Sequence, residues 1–174
     1  MPIYTRKGDK GETGTFDGKR ISKDSLQTEI LGTIDEANSF LGLSASLLEE
    51  KDLINKIVSV QKNLFKLGSI IAGAKGYISK SVVIGYEKEM DKWTRVLPNV
   101  QNFIFPGGVP AASALFTARA IIRRAERLIV KYNTEKGISS GLLMYINRLS
   151  DYVFMLARYI NFRKGGIETI WKGR

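Results

Sequence analysis

Residues 111–132 read AASALFTARAIIRRAERLIVKY, and this stretch decides the fold class. On a helical wheel Leu115, Ala118, Ile122, Ala125 and Ile129 share one arc about 80° wide, the stripe of a helix packed on a core. Arg119, Arg123 and Glu126 lie immediately beside that arc, Arg124 falls about opposite it, and Arg127 is intermediate. An arginine-rich helix face is ordinarily a solvated one. Arginines bordering a core stripe are partly desolvated, however, and a desolvated guanidinium needs an anion. Glu126, three residues beyond Arg123, supplies one carboxylate; the others have to come from a ligand, another helix or another subunit.

The same three-and-four spacing extends in both directions. A long first helix is predicted from Asp24 or Ser25, either a suitable cap, through Leu26, Ile30, Ile34, Ala37 and Leu41 to about Leu48. A second starts near Lys51 and Asp52, runs through Ile54, Ile57, Val60, Leu64, Leu67 and Ile71, and stops at Gly73 and Gly76. A third covers roughly residues 81–96, before Pro98. Residues 101–110, QNFIFPGGVP, carry two prolines and a glycine pair and read as a loop joining two halves of a bundle. The last helix spans about residues 140–163. Its stripe is Leu143, Ile146, Ser150, Val153 and Ala157, with Asn147, Asp151 and Arg158 along one edge. A polar pair such as Asn147 and Asp151 can hydrogen-bond an adenine or ribose, but ties between helices are the commoner outcome. Five helices with no βαβ unit and no internal repeat predict an all-α, five-helix up-and-down bundle. The expected organisation is one domain over residues 1–174: an N-terminal loop (1–23), the bundle (24–163) and a short tail (164–174).

Composition narrows the chemistry. The 174 residues suffice for one core, and no stretch approaches the ~20 apolar residues of a membrane span. Residues 1–10 carry charges with no apolar run after them, so a signal peptide is not expected and the cytoplasm is the expected compartment. There is no Cys and no His. Disulfides, thiol nucleophiles, Ser-His-Asp triads and Cys/His zinc sites are therefore excluded. Any metal would be a hard ion held by oxygen, best supplied as Mg²⁺ on phosphate. The net charge of +10 points to a polyanionic partner such as a nucleoside triphosphate, nucleic acid or anionic lipid, among which charge alone does not choose.

The first 23 residues, MPIYTRKGDKGETGTFDGKRISK, have no sustained period and read as an ordered loop or extended arm. Gly8, Gly11 and Gly14 recur every third residue among Thr5, Arg6, Lys7, Lys10, Thr13 and Thr15. Glycines let backbone N–H groups approach phosphate oxygens, cations neutralise them and hydroxyls add donors. Neither the Walker A spacing nor a Rossmann fingerprint is present.

Three segments, in order and spanning nearly the whole chain, resemble the PduO-type ATP:corrinoid adenosyltransferases. They are Tyr4-Thr5-Arg6-Lys7-Gly8-Asp9-Lys10-Gly11 with Lys23 downstream, Phe103-Ile104-Phe105-Pro106-Gly107-Gly108 running into Arg119 and Arg123-Arg124-Ala125-Glu126-Arg127, and Asn147-Arg148-Leu149-Ser150-Asp151-Tyr152. The resemblance implies transfer of the adenosyl group of ATP to reduced cobalamin or a related corrinoid, with Mg²⁺ accompanying ATP, in a homotrimer whose active sites lie at subunit interfaces. It assigns Thr5, Arg6, Lys7, Gly8, Thr13, Gly14 and Lys23 to the triphosphate. Arg123, Arg124, Glu126 and Arg127 match the ATP and Mg²⁺ segment, with Glu126 the metal candidate, and Asn147 matches a nucleotide-contacting Asn. Arg119 matches an Arg that pairs across the interface with a first-helix carboxylate, here Asp35. Phe103 matches a residue that crowds the lower face of the corrin. Phe116 stands on the corrinoid side where family members often carry His. No nucleic acid or membrane partner is expected; a corrinoid reductase or an adenosylcobalamin-dependent enzyme is compatible with the resemblance. The chemistry agrees, because displacement at the ribose C5′ by cobalt(I) needs no protein nucleophile. The competing readings are a basic nucleic-acid-binding module, which would spread its cations along an exposed face, and a helical bundle that binds ATP without chemistry.

Overall fold

The structure, a computed structural model, describes Tyr4 and residues 6–173. Its helices are α1 (Leu26–Ser46), α2 (Lys51–Ile71), α3 (Lys80–Thr94), α4 (Pro110–Lys136) and α5 (Ser140–Lys164). Ser25, rather than Asp24, caps α1: its backbone is extended and its Oγ accepts the Thr28 N–H. Pro110 opens α4, where a missing N–H forgoes no helical bond, and Gly137 ends it at φ 66°. The helix thus outruns the predicted 111–132. The apolar stripe stops near Tyr132, while residues 133–136 continue the helix at the surface until glycine takes the left-handed conformation.

The expectation of an N-terminal loop without strands is corrected. Glu12–Gly14 (β1) and Arg20–Ser22 (β2) form an antiparallel hairpin with Thr13 opposite Ile21. Strands of three residues are too short to display a period of two. The hairpin docks on the end of the bundle through the Phe16 N–H, which donates to the Ala72 carbonyl at 2.8 Å.

α1 packs on α2 and α4, α4 on α5, and α5 on α3. The short connections 47–50 and 137–139 make their helices antiparallel neighbours. All five stripe residues of α4 are buried, and Ser44 Oγ donates to the Ala111 carbonyl inside the core, tying the last turn of α1 to the first of α4. On α5 the buried band is broader than the predicted stripe. Leu143 is only half-buried, whereas Leu142, Tyr145, Leu149, Tyr152 and Leu156 are enclosed because α4 and α3 cover two sides of the helix. The α3–α5 seam is aromatic: Tyr86 stacks on Tyr152 at 4.0 Å, and Trp93 lies 5.2 Å from both Tyr152 and Tyr159.

Candidate active site

The α4 and α5 edges predicted to carry chemistry lie side by side. Arg119 is half-buried with its guanidinium 5.3 Å from the centre of the Phe154 ring. Burial lowers its pKa, the neighbouring Arg123 lowers it further, and Asp151 opposes both. Among the described residues neither Arg119, Arg123 nor Arg127 forms an ion pair, although the Arg127 Nη1 donates to the Arg123 carbonyl at 3.1 Å. Glu126 does not serve Arg123, as its spacing suggested. Its Oε1 accepts from Asn147 Nδ2 at 2.8 Å, because α4 and α5 are adjacent and the amide of Asn147 projects across the seam. Asp151 is likewise taken by Arg148 at 2.9 Å, which also reaches Glu87 of α3 at 3.0 Å. Arg124 pairs with Glu36 of α1 on another face of α4. The result, among the described residues, is a row of guanidinium groups without ion-pair partners beside an Asn–Glu pair, an arrangement whose charge suits an anion.

The N-terminal segment forms a second cationic element. Arg6 adopts a left-handed φ of 57°, and successive turns follow, with the Asp9 N–H donating to the Arg6 carbonyl and the Gly11 N–H to that of Gly8. Arg20 Nη2 donates to the Lys7 carbonyl at 2.7 Å and the Lys23 N–H to that of Gly11 at 2.9 Å, so β2 ties the turns down. Lys23 folds close over Gly8, where an added Cβ would stand 3.0 Å from the Lys23 Nζ. Arg6, Lys7, Lys10 and Lys23 are exposed, Thr13 is half-buried and Gly14 is exposed in β1; Thr5 lies outside the described residues. Among those residues, no hydrogen bond or ion pair joins residues 6–23 to Arg119, Arg123, Glu126 or Asn147. The hairpin instead approaches α4 at Tyr132, which shares a cavity of about 450 Å³ with Asp17 and Lys19. From Tyr132 back to Arg123 is ~14 Å along the helix.

Asp35 is exposed on α1 and makes no ion pair among the described residues. It borders an apolar groove of about 280 Å³ between α1 and α2, lined also by Phe16, Leu31, Asn38 and Phe65. Phe16 and Phe65 are largely exposed, and Asn38 Oδ1 is buried with no hydrogen-bond partner among the described residues.

The corrin-side candidates part company. Phe103 is 78% exposed, whereas Phe116 is a core residue, 4% exposed, with its ring 5.9 Å from that of Phe154. The loop bearing Phe103 is fastened by Asn161, whose Nδ2 donates to the Gly107 carbonyl and whose Oδ1 accepts the Val109 N–H, both at 2.9 Å. Gly108, at φ 109°, leaves room for that amide; a Cβ there would sit 2.1 Å from Asn161 Oδ1. Sequence reasoning missed Asn161. It also placed Arg158 on the polar edge, where the structure buries it against Glu168 of the segment after α5.

The cobalamin adenosyltransferase family model matches residues 3–160 of this chain. The corrinoid adenosyltransferase of Bacillus subtilis (strain 168) is 42% identical over 173 residues, covering 95% of this chain and 89% of the relative. The human corrinoid adenosyltransferase MMAB is 35% identical over 181 residues, covering 97% of this chain and 72% of the relative. Among solved structures, a phenylalanine-to-alanine variant of the PduO-type ATP:corrinoid adenosyltransferase from Lactobacillus reuteri, complexed with cobalamin and ATP, matches with a TM-score of 0.93. It is 35% identical over 99% of this chain and 100% of that one.

Proposed function

As a member of the cobalamin adenosyltransferase family, the chain is an enzyme that transfers the adenosyl group of ATP to a corrinoid, and we propose that its catalytic centre forms between copies of the chain. The observation that carries the proposal is the separation of two cationic half-sites, the turns over residues 6–23 and the Arg119–Arg123–Arg127 row, with no hydrogen bond or ion pair joining them among the described residues. A homotrimer that sets the loop of one copy beside the arginine row of the next would complete the site. It would also give Arg119 the carboxylate it lacks, Asp35 of a neighbour, and cover the groove in which Asn38 Oδ1 is stranded.

In this reading ATP lies with its triphosphate against Arg6, Lys7, Gly8, Thr13, Gly14 and Lys23, with Thr5 in the same segment, and against Arg123 with Arg124 and Arg127. Asn147 contacts the nucleoside. Cobalt(I) of the reduced corrinoid attacks the ribose C5′; the cobalt–carbon bond forms as the C5′–oxygen bond breaks, and triphosphate leaves with the electron pair. Negative charge grows on the bridging oxygen, so the protein's work is to align the two substrates and neutralise that charge with guanidinium, ammonium and backbone N–H groups. Mg²⁺ would supply Lewis-acid stabilisation of the phosphates. The donor set fits an ion carried by phosphate, for among the described residues no three carboxylates are grouped so as to hold a metal ion, and of the two carboxylates near the arginine row Asp151 is taken by Arg148 while Glu126 holds only the Asn147 amide. Phe103, projecting from its fastened loop, faces the lower side of the corrin. Phe116 supports that side from the core, behind Phe154.

The test is to incubate purified protein with MgATP and chemically reduced cobalamin and follow the visible spectrum of adenosylcobalamin. Appearance of that spectrum is expected. Retained ATP binding with no spectral change would assign the chain to nucleotide binding without transfer.

A further inference from the structure

Asp151 stands on the polar edge of α5 between two groups that face α4. Asn147, Asp151 and Phe154 share an arc about 60° wide, each about one turn, or ~5–6 Å, from the next. The packing of α4 on α5 brings Glu126 to Asn147 at 2.8 Å and the Arg119 guanidinium to within 5.3 Å of the Phe154 ring centre. Those two contacts fix the antiparallel register, and in that register Asp151 falls level with residues 122 and 123, in the middle of the arginine row. Burial and Arg123 lower the Arg119 pKa, and Asp151 is near enough for its charge to oppose them.

The carboxylate of Asp151 is aimed by Arg148. That half-buried guanidinium donates from Nε to Glu87 Oε1 of α3 at 3.0 Å and from Nη1 to Asp151 Oδ2 at 2.9 Å. A fork anchored on α3 therefore holds the Asp151 side chain and offsets its charge, while Oδ1 has no hydrogen-bond partner among the described residues and the side chain stays half exposed. An exposed pair three residues apart adds little to stability. A carboxylate only accepts hydrogen bonds and repels phosphate, and the donors that ATP offers it are the ribose hydroxyls and the adenine amino group. The amino group lies at the end of the nucleoside remote from the triphosphate. Asp151 instead sits beside Arg123, between the Asn147 and Phe154 ends of the edge. The ribose is the part of ATP that joins base, triphosphate and the reacting C5′, and so belongs at that middle place. A carboxylate on a ribose hydroxyl is a pairing that nucleotide sites use.

We propose that Asp151 accepts a hydrogen bond from a ribose hydroxyl of ATP, with Arg148 the positioning residue that aims its carboxylate. The proposal rests on the reading that Asn147 contacts the nucleoside. It is tested in the full chain with cobalt(I) cobalamin and Mg²⁺, supplying ATP, 2′-deoxyATP or 3′-deoxyATP; the cobalt–carbon bond forms at C5′ with each, so one spectral readout serves all three. Wild type should prefer ATP over at least one deoxy analogue by about 10–100-fold in kcat/KM, the loss expected of a hydrogen bond to a charged group. Asp151→Ala should bring ATP down to the rate of that analogue and leave the analogue itself unchanged. Arg148→Met should reduce the preference severalfold, whereas Glu87→Gln, which weakens only the other arm of the fork, should keep it. Because the preference is a ratio measured on one preparation, a loss of folded protein does not move it. Equal use of all three nucleotides by the wild type, or a preference unaltered in Asp151→Ala, would overturn the proposal and leave Asp151 a tie between helices. Asn147→Ala assayed alongside separates the two levels. An unchanged ATP KM there removes the reading beneath the proposal, whereas a raised ATP KM there with an unaltered preference in Asp151→Ala removes only the proposal.

Discussion

Replacing Phe103 by Ala separates a ring that anchors its loop from a ring that projects into a site. An enclosed phenylalanine removes roughly 150–250 Å² from water. With 78% of Phe103 exposed, only about 40 Å² is covered, worth ~1 kcal/mol at ~25 cal/mol per Å². Loss of the contact with the Trp171 ring, 6.2 Å away, adds ~0.5–1 kcal/mol, so Phe103→Ala should destabilise the protein by ~1–2 kcal/mol, a fall of a few degrees in Tm for a chain of this size. Truncating a core phenylalanine costs ~3–5 kcal/mol. Thermal unfolding of the protein without ligands measures the first quantity. Adenosylation started from cobalt(II) and from pre-reduced cobalt(I) measures the second role, and the cobalt(II) reaction should suffer more, because a cobalt without its lower ligand would no longer be favoured. A stability loss in the core range, or equal losses from both oxidation states, would refute the argument.

Arg123→Lys keeps the charge but loses the planar fork that holds two phosphate oxygens, and kcat should fall by ~10²; turnover at the wild-type rate would return Arg123 to the solvated surface. On the proposed trimer Asp35→Ala would strand the half-buried Arg119 of a neighbouring copy, so it should weaken self-association and activity together, and light scattering of the wild type should give the mass of a trimer rather than about 19 kDa. Hydrogen bonds from Lys19 and then Thr15 pull the Asp17 carboxyl down to about 2. A depressed folded-state pKa means that this turn's contribution to stability is complete above the ordinary value of 3.8 and is lost as pH falls through about 2. A side-chain carboxyl NMR titration should place Asp17 below other carboxylates, and a midpoint near 3.8 would contradict the geometry.

The helices, their order and most of their buried faces were determined by the sequence alone, because a stripe such as Leu115–Ala118–Ile122–Ala125–Ile129 needs only the 3.6-residue period to declare which face turns inward. The absence of Cys and His fixed the permitted chemistry in the same local way. Which polar groups meet was decided by tertiary structure. Glu126 looked like the partner of Arg123 at its own helical spacing, yet the packing of α5 on α4 hands it to Asn147. Arg158 shares a helical edge with Asn147 and Asp151, but the loop at 98–109 and the segment carrying Glu168 fold over that end of α5 and make it a buried clamp. The pairing of Phe103 with Trp171 spans most of the second half of the chain, and no periodicity encodes it. Helical faces repeat within a few residues and can be read from them; partners brought together by chain folding cannot, because their meeting depends on where the intervening helices pack.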